Sequence, residues 1–238
     1  MIRVGVTGTD TGVGKTVVGC GVARALVRRG LSVVAMKPIE TGVAFDDPGR
    51  DGALLAAAGG HEHLLKTTAP IVLRDPVAPL VTTRRANTTL TLSELDAAFG
   101  QVGAGYDALI VEGAGGLLVP ITADETYATL FRRWSLGVII VAANKLGVIN
   151  HVRLTCAACR TTGLTVHAIV LNQTLAADDA DASVDDNPTV IAELEEIPVV
   201  VLPWLSGGFD MERAAAAVET SGLVDLVLAT ADHPTTTV

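Results

Sequence analysis

The stretch Gly8 to Thr16, reading GTDTGVGKT, constrains this chain more than any other. An apolar run from Ile2 to Thr7 precedes it and predicts a buried strand, and Val17 to Arg29 follows with helical apolar spacing. Strand, glycine-rich turn, then a helix with Lys15 and Thr16 in its first turn is the P-loop arrangement. Glycines let the backbone wrap close to a polyphosphate, so that its N–H groups and the helix N-terminus face the anion. Asp10, Thr11, Gly12, Val13, Gly14, Lys15, Thr16 and Val17 are therefore the candidate nucleotide-binding residues, with Lys15 reaching the terminal phosphates and the Thr16 hydroxyl binding Mg2+. The usual G-x-x-x-x-G-K spacing asks for glycine where Thr9 stands, with Gly8 one residue earlier, so the loop is a variant. Its plain alternative is a glycine-rich turn carrying a surface lysine.

Strand and helix patterns alternate along the rest of the chain. Strands are expected at Arg3 to Thr7, Ser32 to Lys37, Ala108 to Glu112, Gly137 to Ala143, Val166 to Asn172 and Pro198 to Leu202. Together with the helices between them they predict an α/β fold, a doubly wound, mainly parallel sheet flanked by helices, of P-loop NTPase type. Residues 1–228 are expected to form one domain and 229–238 a frayed tail. Hydrophobic residues make up 49% and aromatic residues only 3%, so the core must be aliphatic, which suits strands covered on both faces. A formal net charge of −9 offers no general attraction for nucleic acid or an anionic membrane, and any phosphate site must be a local pocket. No apolar run approaches the roughly 20 residues that span a bilayer, and Met1 to Thr7 runs straight into the loop, so a cytoplasmic protein is expected. Three cysteines argue against a disulfide framework; Cys156 and Cys159 fall within the helical pattern His151 to Thr162 and read as small buried residues.

Between the second and third strands lies a long insert, Pro38 to Tyr106. Glu40 to Gly52 reads as a mobile loop, Ala53 to Ala58 as a short helix, and Ser93 as the cap of another. The His61-Glu62-His63 run reads as solvated loop histidines, because i and i+2 in a turn is poor ligand geometry. Arg84-Arg85 reads as a solvated basic pair. Ala176 to Asn187, with five aspartates, reads as a flexible acidic loop.

Ligands in such sheets bind at the carboxyl ends of the strands, and polar groups recur there. Lys37 ends the second strand beside the P-loop, where a second ammonium can stabilise charge on a transferring phosphoryl group. Glu112 ends the apolar run ALIVEGAGG and can hold Mg2+ in place of the usual aspartate. Asp51 could reach the same metal from the insert, and residue chemistry alone leaves that open.

These residues resemble the dethiobiotin synthetase family. The likeness runs in family order through GTDTGVGKT, KPIETG (Lys37 to Gly42), the RDGALL segment around Asp51, VEGAGGLLVP (Val111 to Pro120), NKLGVINH (Asn144 to His151), LNQ (Leu171 to Gln173) and LPWL (Leu202 to Leu205). The resemblance implies an ATP- and Mg2+-dependent cyclo-ligase. Its substrate, 7,8-diaminononanoate, takes up CO2 as a carbamate that attacks the γ-phosphate of ATP; the second amine then closes a ureido ring and expels phosphate. It implies that Lys15 and Lys37 act on phosphate and carbamate charge, that Thr16, Asp51 and Glu112 surround Mg2+, and that Thr11 and Thr41 lie near the carbamate. Asn172 takes the place of the family's adenine-contacting asparagine, with Pro203 and Leu205 lining the base pocket. Gly115 and the segment Leu146, Gly147, Val148, Ile149 and Asn150 are implied on the substrate, the latter through backbone N–H groups on its carboxylate, near a homodimer interface. The family's late-loop tyrosine has no counterpart in Ala176 to Asn187.

Two other classes share parts of this pattern. Nucleotide switches of the partitioning type carry a lysine at the position held here by Asp10, and amidoligases of the cobyrinate type bring a glutaminase domain for which the chain after Leu205 is too short. Both features favour the synthetase.

Overall fold

The computed structural model describes residues 1–102, 105–174 and 181–231. In chain order they form β1 (Ile2–Gly8), α1 (Lys15–Arg28), β2 (Val33–Met36), β3 (Ile39–Thr41), α2 (Asp51–Gly59), α3 (Leu65–Thr68), β4 (Ile71–Leu73), α4 (Pro79–Arg85) and α5 (Leu92–Val102). There follow β5 (Ala108–Gly116), α6 (Tyr127–Arg133), β6 (Gly137–Ala143), α7 (Val148–Thr162), β7 (Val166–Asn172), α8 (Ser183–Glu195), β8 (Val199–Leu202), α9 (Met211–Thr220) and α10 (Leu223–Ala229).

Six of the strands form one sheet in the order β2-β5-β1-β6-β7-β8, with every pairing parallel. All six are the strands expected from the apolar runs. Successive side chains alternate faces, and the aliphatic residues fill both. Val4 and Val6 of β1, Ile110 of β5, Ile139 and Val141 of β6 and Val170 of β7 pack with α1, α2, α9 and α10. Leu109 and Val111, Val138 and Ile140, and Ile169 and Leu171 face the opposite way and pack with α5, α6, α7 and α8. Gly5 serves this second face by leaving room for α6, since a Cβ there would lie 2.8 Å from the Phe131 ring.

The strand order reverses direction at β1, whose neighbours β5 and β6 come from later in the chain on either side. That switch point opens a crevice at the strands' carboxyl ends, and the P-loop fills it. The register of β2 against β5 matches Met36 with Val111, so Lys37, just past the end of β2, lies level with Glu112. Glu112 is not the end of its strand as expected but lies within β5, since the strand runs on to Gly116.

The insert is more ordered than its composition suggests. Glu40 and Thr41 lie in β3, which pairs with β4 as a separate two-stranded parallel sheet, and the expected mobile loop is confined to an exposed stretch over 42–49. Arg50 is buried, and Asp51 and Gly52 already belong to α2. His61 is also buried instead of solvated. Its Nε2 lies 3.0 Å from the carbonyl oxygen and 3.2 Å from the amide nitrogen of Ala35, on the outer side of the edge strand β2 where a further strand would pair. Burial holds its pKa below the ordinary histidine value. His63 stays exposed. Ser93 does not cap α5; it lies inside the helix, and Thr91 takes the preceding position, donating from its N–H and its hydroxyl to the Glu94 carboxylate. Arg85 pairs with Asp75 at 3.4 Å on the surface.

The acidic segment is helical at its end: Ser183 to Asn187 start α8, with Asp185 and Asp186 in a first turn whose N–H groups favour negative charge. Asp178, Asp179 and the tail over 232–238 lie outside the described residues. Cys156 and Cys159 sit buried in α7 as expected, and burial pushes both thiols up to about 12. Among the described residues, no helix is long and apolar enough to cross a membrane.

Candidate active site

The P-loop joins β1 to α1 through Gly12 and Gly14, both with positive φ (75° and 95°), where a side chain would be strained. Gly14 has a second constraint, because a Cβ there would overlap the Asn172 amide nitrogen at the end of β7. That amide donates to the Val13 carbonyl at 3.0 Å, so Asn172 props the loop from a neighbouring strand. Asp10 accepts the Thr11 N–H at 2.7 Å, and Lys15 curls back to donate to the Asp10 carbonyl at 2.9 Å.

Thr16 points from the first turn of α1 to two carboxylates. Its Oγ1 lies 2.8 Å from Asp51 Oδ1 and 3.0 Å from Glu112 Oε1. Lys37 joins them from the end of β2, its Nζ 2.5 Å from Glu112 Oε1, 2.8 Å from Asp51 Oδ2 and 3.3 Å from the Gly113 carbonyl. Thus four sequence-predicted residues from four elements converge at one point.

The electrostatics follow from burial and charge. Burial alone would lower the pKa of Lys37, but Glu112 and Asp51 outweigh it and hold it above the ordinary lysine value. For Asp51, burial is likewise overcome by the Lys37 charge and by hydrogen bonds from Lys37 and Thr16, which hold the carboxyl below its usual range. Burial pushes Glu112 up against the pull of Lys37, whose ammonium lies 2.5 Å away. Lys15 is lowered, first by burial and then by the Lys37 charge, against the opposing pull of Glu112, Asp51 and Asp10.

Above this cluster is a pocket of about 360 Å³, whose walls include Thr11, Thr41, Gly115 and Glu40. Thr11 and Thr41 line it together with Lys15 and Lys37. Gly115, at φ 68°, is held to glycine by Val119, which a Cβ would approach to 2.9 Å. Oxygen donors here suit a hard cation. Glu112 Oε2 is buried without a hydrogen-bond partner, and Thr16, Asp51 and Glu112 are the hydroxyl and two carboxylates a Mg2+ ion takes when phosphates complete its shell. Among the described residues, no cluster of three or more His, Cys, Asp or Glu could hold a metal by protein ligands alone.

Other predicted residues lie further out. Pro203 and Leu205 follow β8, next to the end of β7 and Asn172, with Pro203 exposed. Leu146 to Asn150 lead into α7, which begins at Val148 with Gly147 as its cap. Two of that segment's N–H groups have partners within the chain: Leu146 donates to Asp181 Oδ2 at 3.0 Å and Val148 to the Lys145 carbonyl at 3.1 Å. A second groove, of about 470 Å³, lies between the P-loop, residues 116–120 and α7. Of its lining residues, Leu118 and Leu154 are 58% and 62% exposed.

Sequence reasoning missed Glu40 and Arg50, which form a buried ion pair against the pocket. A glutamate between Ile39 and Thr41 in a short apolar strand was the available signal.

The chain matches the family model described as "AAA domain" over residues 3–207. It is 42% identical over 214 residues to the ATP-dependent dethiobiotin synthetase of Anaeromyxobacter dehalogenans (strain 2CP-C), covering 90% of this chain and 93% of the relative. It is 37% identical over 227 residues to the enzyme of the same name from Aquifex aeolicus, covering 95% and 98%. Among solved structures, the septum site-determining protein MinD with Mg-ADP from Pyrococcus horikoshii aligns with a TM-score of 0.53 at 15% identity, covering 98% of this chain and 96% of that one. The Aquifex aeolicus MinC:MinD complex aligns at 0.55 and 13% identity, covering 98% and 95%. At such identities the MinD likeness shows the P-loop fold alone.

Proposed function

The chain belongs to the dethiobiotin synthetase family, and we propose that it uses the cluster at Lys37 to close the ureido ring of dethiobiotin from 7,8-diaminononanoate, CO2 and ATP. The observation that carries this reading is the convergence of Lys15, Thr16, Lys37, Asp51 and Glu112 beneath a pocket that Thr11, Thr41 and Gly115 line.

In this reading the P-loop N–H groups and Lys15 bind the ATP phosphates, Lys15 exchanging its own-loop carbonyl for phosphate oxygens. Thr16, Asp51 and Glu112 hold Mg2+, which when bound supplies charge neutralisation on the phosphates. One substrate amine combines with CO2 to give a carbamate, with loss of a proton. The carbamate oxygen attacks the γ-phosphorus, the bond to the ADP oxygen breaks, and a carbamic-phosphoric anhydride forms. The second amine then attacks the carbamoyl carbon and phosphate leaves with its electron pair. Lys37 and Lys15 flank the γ-phosphate and carbamate oxygens, where their charge stabilises what develops in the transition state. Thr11 and Thr41 orient the carbamate, and Asn172, Pro203 and Leu205 hold the base.

We assign the substrate carboxylate to the backbone of Leu146 to Asn150 at the start of α7. Asp181 already places a carboxylate on the Leu146 N–H, which supports an affinity of this segment for such groups. The exposed leucines around the neighbouring groove support a homodimer that buries them. Soluble, cytoplasmic operation on small molecules fits the acidic surface.

The test is phosphate release with each reactant omitted in turn. ATP turnover should require both the diamine and bicarbonate; turnover at the same rate without the diamine refutes the assignment. In the same assay Lys37→Gln should lose catalysis, while metal-free ADP affinity, titrated in EDTA, holds, as for a cation used mainly in the transition state.

A further inference from the structure

Asp51 is the one member of the cluster that comes from the insert, and it stands at the first position of α2 and not on a strand of the six-stranded sheet. The chain on either side of it is tied to Glu40. The Glu40 carboxylate is buried in β3, one residue before Thr41, and both its oxygens are used. Oε1 accepts the Gly52 N–H at 2.8 Å, and Oε2 pairs with Nη1 of Arg50. The residues on either side of Asp51 are thus both tied to one side chain.

The arrangement is built for this contact. Gly52 leaves the space in which the Glu40 carboxylate sits, since a Cβ there would lie 2.7 Å from Glu40 Oε2 and 2.6 Å from Ala69 Cβ. Arg50 is fully buried, its Nε and Nη2 have no hydrogen-bond partner, and its guanidinium lies over the Phe45 ring at 5.2 Å from the centroid. A buried ion pair with part of its donor set unsatisfied is a poor way to gain stability, and packed apolar residues would do as well. Both Glu40 oxygens are engaged with the residues that flank Asp51. What the pair does give is a fixed distance from β3, which carries Thr41, to the start of α2, which carries Asp51.

We propose that Glu40 and Arg50 are positioning residues that hold Asp51 where it can share a divalent cation with Glu112 and Thr16. The inference rests on the reading that Asp51 holds Mg2+, and deepens it. Loss of the tie releases the first turn of α2, and the Asp51 carboxylate no longer meets Thr16 and Glu112 at a fixed separation.

The experiment measures Mn2+ binding to the protein–ADP complex by electron paramagnetic resonance, ADP affinity in EDTA, and melting temperature. The variants are Glu40→Gln, Glu40→Gln/Arg50→Met and Asp51→Asn. Glu40→Gln should weaken Mn2+ binding at least tenfold while metal-free ADP affinity stays within about twofold, a split that general destabilisation would not produce. The double variant removes the lone buried cation, so it should melt near the wild type yet keep the weakened Mn2+ binding; it carries the test if Glu40→Gln does not fold. Wild-type Mn2+ affinity in folded Glu40→Gln, or its recovery in the double variant, overturns the positioning role while leaving the site assignment standing, provided Asp51→Asn loses the metal. Wild-type Mn2+ affinity in Asp51→Asn removes the metal reading and the inference with it.

Discussion

Replacing Lys37 by methionine isolates the charge balance of the site. The Lys37 and Glu112 side chains are 3% and 0% exposed and meet at 2.5 Å, with Asp51 at 2.8 Å on the other side. Without the ammonium, two carboxylates share only the Thr16 hydroxyl. Removing one partner of a buried pair costs about 3–5 kcal/mol. Glu112, already pushed up by burial, can take up a proton and keep the cost from growing larger. For a chain of this size each kcal/mol moves the melting temperature by roughly 2–4 °C, so Lys37→Met should melt about 6–20 °C below the wild type in EDTA. Divalent metal reverses the comparison. In the wild type a cation must compete with Lys37 for the carboxylates, whereas in the variant it fills the place of the lost charge. Mg2+ with ADP should therefore raise the melting temperature more in the variant than in the wild type. Calorimetry in EDTA and in Mg-ADP reads both quantities. A variant that melts within about 1 °C of the wild type in EDTA, or that gains no more from Mg-ADP than the wild type does, would refute the shared-carboxylate geometry.

Three further outcomes follow from the structure. Gly14→Ala forces a side chain at φ 95° and against the Asn172 amide; strain of about 1–2 kcal/mol adds to loss of the Asn172 to Val13 bond, so ADP affinity measured by titration calorimetry should fall, and fall less in an Asn172→Ala background. His61 is held neutral by burial, so its folded pKa lies below the unfolded value of 6.5: its stabilising contribution is full above that pH and is lost as pH falls through the folded value. Melting temperature should drop on acidification from pH 7 towards 5, and His61→Gln should flatten that drop; parallel curves would contradict it. Sedimentation should give a homodimer, and Leu154→Glu, on the exposed groove, should shift it towards monomer; a wild-type monomer with full specific activity would remove the dimer from the account.

The parts legible in sequence are those where one local pattern carries both structure and chemistry. The apolar run, glycine turn and helix from Ile2 to Arg28 needed no long-range knowledge, and each of the six sheet strands showed as an aliphatic run between breakers. Lys37 and Glu112 were recognisable as polar residues closing apolar runs, although β5 runs on past Glu112; that they touch depends on β2 pairing with β5 across a separation of 75 positions, which spacing alone does not reveal. The insert was misread where tertiary contacts overrode composition. Glu40 and Arg50 looked like loop charges because each is satisfied mainly by the other, and His61 looked solvated because its partner is the backbone of an edge strand. The start of α8 is hidden by its aspartates, which are unfavourable in a helix interior yet suit a first turn. Asn172 carries a role the family likeness did not suggest, since its amide props the P-loop whatever base lies beside it.

The most direct test of the central claim follows the carbon. Supplied with 7,8-diaminononanoate, ATP, Mg2+ and 13C-bicarbonate, the protein should yield dethiobiotin one mass unit heavier, with one phosphate released per ring as read by mass spectrometry and a phosphate assay. Phosphate release without labelled dethiobiotin would contradict the account.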